Sequence, residues 1–207
     1  MQYKILPLGE YEANCTVVWE NPSAAWVVDP GADAERLLSF LDGRGLKPAL
    51  VVLTHAHFDH IGAVPGLQAR YPDLPVHVGA GDAPFLGHPA NANPPSYPPA
   101  RRPANLLQDL EDGAEISSGG ATAKVIATPG HTPGGVCLYF ASAGLLLSGD
   151  TLFAGSCGRT DLPGGDAPAL AASLRRLAAL PPETVVVPGH GIYTTIEREL
   201  ADNPFMR

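Results

Sequence analysis

Four imidazole and carboxylate side chains crowd into six residues, His55-Ala56-His57-Phe58-Asp59-His60, directly behind the apolar run Ala49–Leu53. A buried strand that ends in so many polar donors must deliver them to one point. The same event recurs three times. Lys124–Ala127 leads into Thr128-Pro129-Gly130-His131, Leu145–Leu147 into Ser148-Gly149-Asp150, and Val185–Val187 into Pro188-Gly189-His190. Apolar runs of this kind read as strands covered on both faces. Sites in layered α/β folds gather at one end of such strands. If the four runs lie side by side, their ends pool seven donors: His55, His57, Asp59, His60, His131, Asp150 and His190.

Imidazole and carboxylate suit zinc, and also iron or manganese. In a turn after a strand, the H-x-H-x-D-H spacing offers two histidines to one metal and the aspartate with the last histidine to another. Gly130 and Gly189 precede lone histidines, where a tight backbone helps to aim the ring. His77 and His88 lie outside these strand ends and read as ordinary polar residues.

The rest of the chain supplies layers. Tyr3–Leu8, Cys15–Trp19 and Trp26–Val28 read as strands, the last two joined as a hairpin through Glu20-Asn21-Pro22-Ser23. Asp33 reads as the N-cap of a helix with Leu37, Leu38 and Leu41 on one face and Gly43 as its stop. A second helix begins at Asp166, with Pro168 in its first turn and Leu170, Leu174 and Leu177 at helical spacing. The proline-rich stretch His88–Pro103 reads as a loop that caps the pocket or serves as a dimer contact.

Composition narrows the function. With 207 residues, 45% of them hydrophobic and 16% charged, the chain suits one domain over 1–207 with a sizeable core. Its net charge of −8 gives no electrostatic attraction to nucleic acid or an anionic membrane. No apolar run approaches the roughly 20 residues that span a bilayer. The start MQYKILPLGE lacks the apolar core of a secretory signal. Cys15, Cys137 and Cys157 are widely spaced and odd in number, which suits a reducing cytoplasm. The expected partner is a small-molecule substrate, and the chain is expected to be a monomer or a homodimer.

At Val28-Asp29-Pro30-Gly31, His55–His60, Pro129-Gly130-His131-Thr132, Gly149-Asp150 and Gly189-His190, the sequence resembles the metallo-β-lactamase superfamily. The resemblance implies an α/β fold, a four-layer αββα sandwich of two mixed sheets with metals at one edge. It implies two divalent metal ions, zinc before iron or manganese. His55, His57 and His131 would hold the first and Asp59, His60 and His190 the second, with Asp150 bridging. Asp29 would orient the ligand loop from behind; read from the residues alone, it is equally a plain turn before Pro30-Gly31. Asp59 and Asp150 are the catalytic candidates.

Within the superfamily the likeness is to small glyoxalase II-like proteins, through Gly149–Gly165 and the ending Glu197-Arg198 and Asn203-Pro204-Phe205. The glutathione-binding helical domain of full-length glyoxalase II is not expected here. The implied reaction is hydrolysis of a thioester of the S-acylglutathione type by a metal-activated water. The alternative is a persulfide dioxygenase-like oxidation with one iron on His55, His131 and Asp150. RNA processing and lactone hydrolysis fit less well, and so does β-lactam hydrolysis, for want of an export signal. Arg159 and Asp161 either line the substrate pocket or pair with each other. Tyr193 is a further pocket candidate, and Cys157 is either reactive or an apolar filler.

Overall fold

The computed structural model describes residues 1–88, 91, 97 and 101–206. One six-stranded sheet has the order β1 (Gln2–Leu8), β2 (Ala13–Trp19), β3 (Ala25–Val28), β4 (Pro48–Val52), β5 (Val76–His77) and β6 (Leu106–Leu107). The second contains β7 (Glu115–Ser118), β8 (Ala121–Ala127), β9 (Val136–Phe140) and β10 (Leu145–Gly149). A small hairpin follows, β11 (Leu152–Phe153) with β12 (Ser156–Cys157), before β13 (Val185–Pro188) and β14 (Thr194–Thr195) complete the second sheet in the order β14-β13-β10-β9-β8-β7. The helices are α1 (Ala34–Gly43), α2 (Phe58–Ile61), α3 (Val64–Arg70), α4 (Ala167–Leu177) and α5 (Ile196–Asp202). Among the described residues, no helix is long and apolar enough to cross a membrane.

The period-two alternation of a strand explains the layering. Leu50 and Val52 of β4 face the second sheet, while Val51 and Leu53 face the layer of α1 and α3. On β10, Leu145 and Leu147 turn toward the first sheet and Leu146 toward α4. Both faces of these strands are therefore buried, which is why they read as unbroken apolar runs. The layers are helix, sheet, sheet, helix, the expected αββα sandwich. Between the sheets, Trp26 and Phe140 are fully buried with ring centroids 5.4 Å apart.

The four strands that end in the candidate donors do not lie side by side in one sheet, as their pattern suggested. β4 belongs to the first sheet, and β9 lies between β8 and β10. Because β9 is antiparallel to both, β8 and β10 run in the same direction, and β13 is parallel to β10. Their C-terminal ends therefore still meet at one edge. Backbone bonds join the sheets at that edge: Val136 N to Thr54 O at 2.9 Å and Asn14 N to Gly189 O at 2.7 Å.

The turn after Trp19 forms a hairpin as read, with Asn21 Oδ1 accepting from Ser23 N at 2.9 Å. Asp166 caps α4 by accepting from Ala169 N at 2.9 Å. Asp33 precedes α1 but does not cap it. Its backbone is left-handed, and its carboxylate accepts instead from Gly9 N at 2.9 Å. Gly43 remains helical, and the chain leaves α1 at Gly45, where φ is +64°.

Replacing Phe140 by alanine empties the inter-sheet contact with Trp26. Large aromatic-to-alanine changes of this kind cost about 3–5 kcal/mol. Denaturant melts should show a loss of that size.

Candidate metal centre

Three donor groups converge at the shared edge. His55, His57 and His131 form one, and Asp59, His60 and His190 another, each with ligand atoms within 4.8 Å of one another. Asp150 stands between them. Its Oδ1 is 3.5 Å from His60 Nε2, and its Oδ2 is 3.5 Å from His131 Nε2 and 3.7 Å from His190 Nε2. Asp59 Oδ2 lies 3.2 Å from His190 Nε2. The seven residues expected from the sequence are all here. A third group, Asp29 with His55 and His60, overlaps these.

The short helix α2 places Asp59 and His60 on one turn, while His57 is still extended. Gly189 lets β13 approach. A Cβ there would overlap Asp150 Oδ1, so only glycine admits both the strand end and the carboxylate.

The chemistry of the set fits divalent cations. His131 Nε2 and His57 Nδ1 face each other at 2.9 Å, and His60 Nε2 and His190 Nε2 at 3.2 Å. Such nitrogen pairs need a proton or a cation between them. His55 Nε2 and Asp150 Oδ1 are buried with no hydrogen-bond partner. Burial, reinforced by the charges of His60 and His57, holds His55 well below the usual histidine range. Burial and His131 bring His57 down to about 4. Both rings are therefore neutral at pH 7, the form that binds metal.

The second group carries the opposite demand. Burial pushes Asp59 up, but the hydrogen bond from His190 and the charges of His60 and His190 prevail and lower it to about 2. Burial likewise works against charge on His60, yet Asp150, Asp29 and Asp59 outweigh it and raise that imidazole to about 10. Three carboxylates draw positive charge to this point, and a divalent ion would meet the same demand.

Outer nitrogens are held from four separate segments. His131 Nδ1 meets Arg159 O at 2.7 Å, and His190 Nδ1 meets Tyr11 O at 2.8 Å. His55 Nδ1 lies 3.1 Å from Thr54 Oγ1, and His60 Nδ1 3.1 Å from Asp29 Oδ2. Asp29, at φ +50°, also accepts from Thr54 N at 2.7 Å and from Thr54 Oγ1 at 2.6 Å. With its oxygens so occupied, Asp29 braces the start of the His55–His60 segment and is not itself a free donor. Its turn and its contact with His60 coexist.

Sequence reasoning missed Asp82, which is fully buried. Its two oxygens accept from Ala56 N at 2.8 Å and Gly134 N at 2.6 Å, so one carboxylate ties the His55–His60 loop to the loop after His131. Nothing in its local sequence marks it, because both partners are backbone amides from distant segments.

A cavity of about 510 Å³ opens over the donors, walled by Tyr11, Phe58, Phe85, Asn91 and Leu162, with Arg159 at its rim. Arg159 also pairs with Asp161 through two bonds at 2.7 and 2.8 Å, both side chains exposed. Asp161 and Tyr193 do not line this cavity, and Tyr193 is 66% exposed. Burial raises the Cys157 thiol, which disfavours its reactive thiolate. His77 pairs with Asp109 at 2.9 Å. Of the proline-rich stretch, Asn91 reaches the cavity, and Tyr97 packs edge-on against Tyr11 and Phe58. Residues 89–90, 92–96 and 98–100 lie outside the described residues, so the expected cap or dimer contact falls largely there.

Asp29→Ala leaves His60 and Thr54 without their shared acceptor. Losing a group that orients metal ligands typically costs 10–100-fold in affinity. Competition with a chelator should show a loss of about that size for divalent metal.

The family model described as the metallo-beta-lactamase superfamily matches residues 8–190. A hydroxyacylglutathione hydrolase, GloC of Haemophilus influenzae, is 32% identical, covering 100% of this chain and 98% of its own. A crystal structure of BLEG-1, described as a B3 metallo-beta-lactamase, is 38% identical with a TM-score of 0.89, covering 99% of each chain. Another, TTHA1623 in a di-iron-bound form, is 40% identical with a TM-score of 0.81, covering 98% of this chain and 99% of its own. By its strand-end donors, its two facing sheets and these matches, the chain belongs to the metallo-β-lactamase superfamily.

Proposed function

We propose that the chain is a two-metal hydrolase of thioesters of the S-acylglutathione type. The observation that carries the reading is the convergence of two three-donor groups on the two oxygens of Asp150, beneath one cavity. The 32% identity to a hydroxyacylglutathione hydrolase supports the substrate class. His55, His57 and His131 would hold one ion, Asp59, His60 and His190 the other, and Asp150 would serve both. Zinc is the metal we favour from the donor chemistry. The likeness to a chain with two irons makes iron its competitor.

Such ions, when bound, bring the pKa of water from 15.7 to about 7 and polarise a carbonyl. The protein's own residues supply position and a dry surrounding. Tyr11, Phe58, Phe85 and Leu162 form an apolar wall against which the acyl group and its thiol arm pack, excluding water. Asp150, anchored at the end of β10, fixes the spacing of the two donor groups. Asp59 would serve as a ligand: its low pKa keeps it ionised for that role and makes it a weak base for moving protons. A thiol leaving group has a pKa near 8.5, so the C–S bond breaks without a strong acid to protonate sulfur. The small-molecule substrate and three cysteines outside any disulfide are in keeping with a cytoplasmic enzyme.

The likeness to BLEG-1 favours one second reading, β-lactam hydrolysis at the same site. Purified metal-loaded protein assayed with S-lactoylglutathione and nitrocefin separates the two: we expect the higher kcat/KM with the thioester. Oxygen uptake with a glutathione persulfide would instead mark the one-iron oxidation at His55, His131 and Asp150. Asp150→Ala should lower thioester kcat/KM by about 10³-fold or more, the scale seen when a transition-state-stabilising group is lost. Near-wild-type turnover in that variant would remove the two-metal mechanism.

A further inference from the structure

The ending Glu199–Asn203 has no part in the donor set, yet both side chains are buried, at 1% and 0% exposure. A buried carboxylate is costly unless fully hydrogen-bonded. Glu199 forms no ion pair among the described residues and is satisfied by neutral donors alone. Gly155 N donates to Oε2 at 2.8 Å, Asn203 Nδ2 to Oε2 at 2.7 Å, and Thr194 Oγ1 to Oε1 at 2.6 Å. Asn203 Nδ2 also donates to Ser156 O at 2.9 Å. Every one of these bonds except those within α5 and β14 lands on the β11–β12 hairpin.

That hairpin has only two residue pairs, Leu152 with Cys157 and Phe153 with Ser156. A ribbon so short is not stable on its own. It nonetheless begins two residues after Asp150 and returns to the metal centre. Gly158 packs so close to Asp150 that a Cβ there would overlap the Asp150 carbonyl. The next residue, Arg159, offers the carbonyl that meets His131 Nδ1 at 2.7 Å. On the outgoing strand, the Phe153 ring lies 6.5 Å from that of His190. The hairpin thus touches donors of both groups; its base is held by the Ser148 hydroxyl on the Leu152 carbonyl and by the buried Leu152 side chain, and its tip at Gly155 and Ser156 is held by Glu199 and Asn203 of the chain ending.

We propose that Glu199 and Asn203 are positioning residues for the metal centre. They act through the hairpin, fixing the Arg159 carbonyl that orients His131 and the backbone that carries Asp150. The proposal rests on the reading of the site as a metal centre and is independent of the substrate. A merely structural role would couple α5 to stability and leave the donors undisturbed.

The test loads the full chain with cobalt(II), whose visible spectrum reports ligand geometry. Wild-type protein should take two equivalents. Glu199→Gln and Asn203→Ala should bind cobalt about tenfold or more weakly, in the range for groups that orient ligands. Their visible spectra should be altered, and the NMR signal of the His131 Nδ1 proton should shift. Thr194→Val removes one donor to Glu199 and should give a smaller change of the same kind, which keeps the test alive if the stronger variants do not fold. Leu41→Ala, a core truncation on the far side of the first sheet, should lower stability while leaving cobalt affinity and spectrum intact. Variants of Glu199, Asn203 and Thr194 that lose stability but keep wild-type affinity and spectrum would overturn the positioning role. A wild-type chain that binds no cobalt would overturn the metal-centre reading beneath it.

Discussion

The structure depends on bringing together groups that repel one another. Imidazole nitrogens face imidazole nitrogens at 2.9 and 3.2 Å, and three carboxylates surround His60 within 4 Å. No chain gathers such donors for stability alone, because each buried polar atom without a partner costs free energy. The cost is met by the surrounding fold and recovered when positive charge enters. A sandwich suits this demand. Its two sheets are stiff, their edges are joined by backbone bonds, and the donors sit where strands stop and loops are free to turn.

Three supports work at increasing distance. Nearest are the acceptors that hold the outer nitrogens of His60, His131 and His190, each from a different segment. These select the ring face that looks inward. Next is Asp82, which ties together two donor loops that come from opposite sheets. Farthest is the C-terminal helix, whose Glu199 and Asn203 bond to the β11–β12 hairpin and, through Thr194, to the strand pair that ends at His190. Tyr11, Phe58, Phe85 and Leu162 wall the cavity over the donors, so a substrate entering there would meet both.

Much of this was legible in the sequence. The donors are local: four fall within six residues, and the other three follow glycine at strand ends, so residue type and spacing identify them. Strands buried on both faces point to a layered α/β fold, and the four-layer sandwich was implied by the family resemblance. What spacing cannot convey is which strands are neighbours. β4 and β10 look alike in sequence but lie in different sheets, and β9, which carries no donor, separates β8 from β10. Long-range backbone partners were equally invisible. Asp82 and Glu199 look like surface acids until the amides they accept from, 26 to 52 residues away for Asp82 and 44 for Glu199, are in place. Asp33 shows the converse: a good capping residue whose carboxylate found Gly9 N instead. Arg159 contributes a carbonyl as well as a side chain, and residue type says nothing about a carbonyl.

The central claim is that one edge of the sandwich holds two ions on seven named side chains. Anomalous diffraction from crystals of the metal-loaded protein, collected on either side of the zinc and iron absorption edges, tests it most directly. The account predicts two peaks, one among His55, His57 and His131 and the other among Asp59, His60 and His190, with Asp150 between them. A single ion on His55, His131 and Asp150, with the Asp59 group empty at saturating metal, would contradict it.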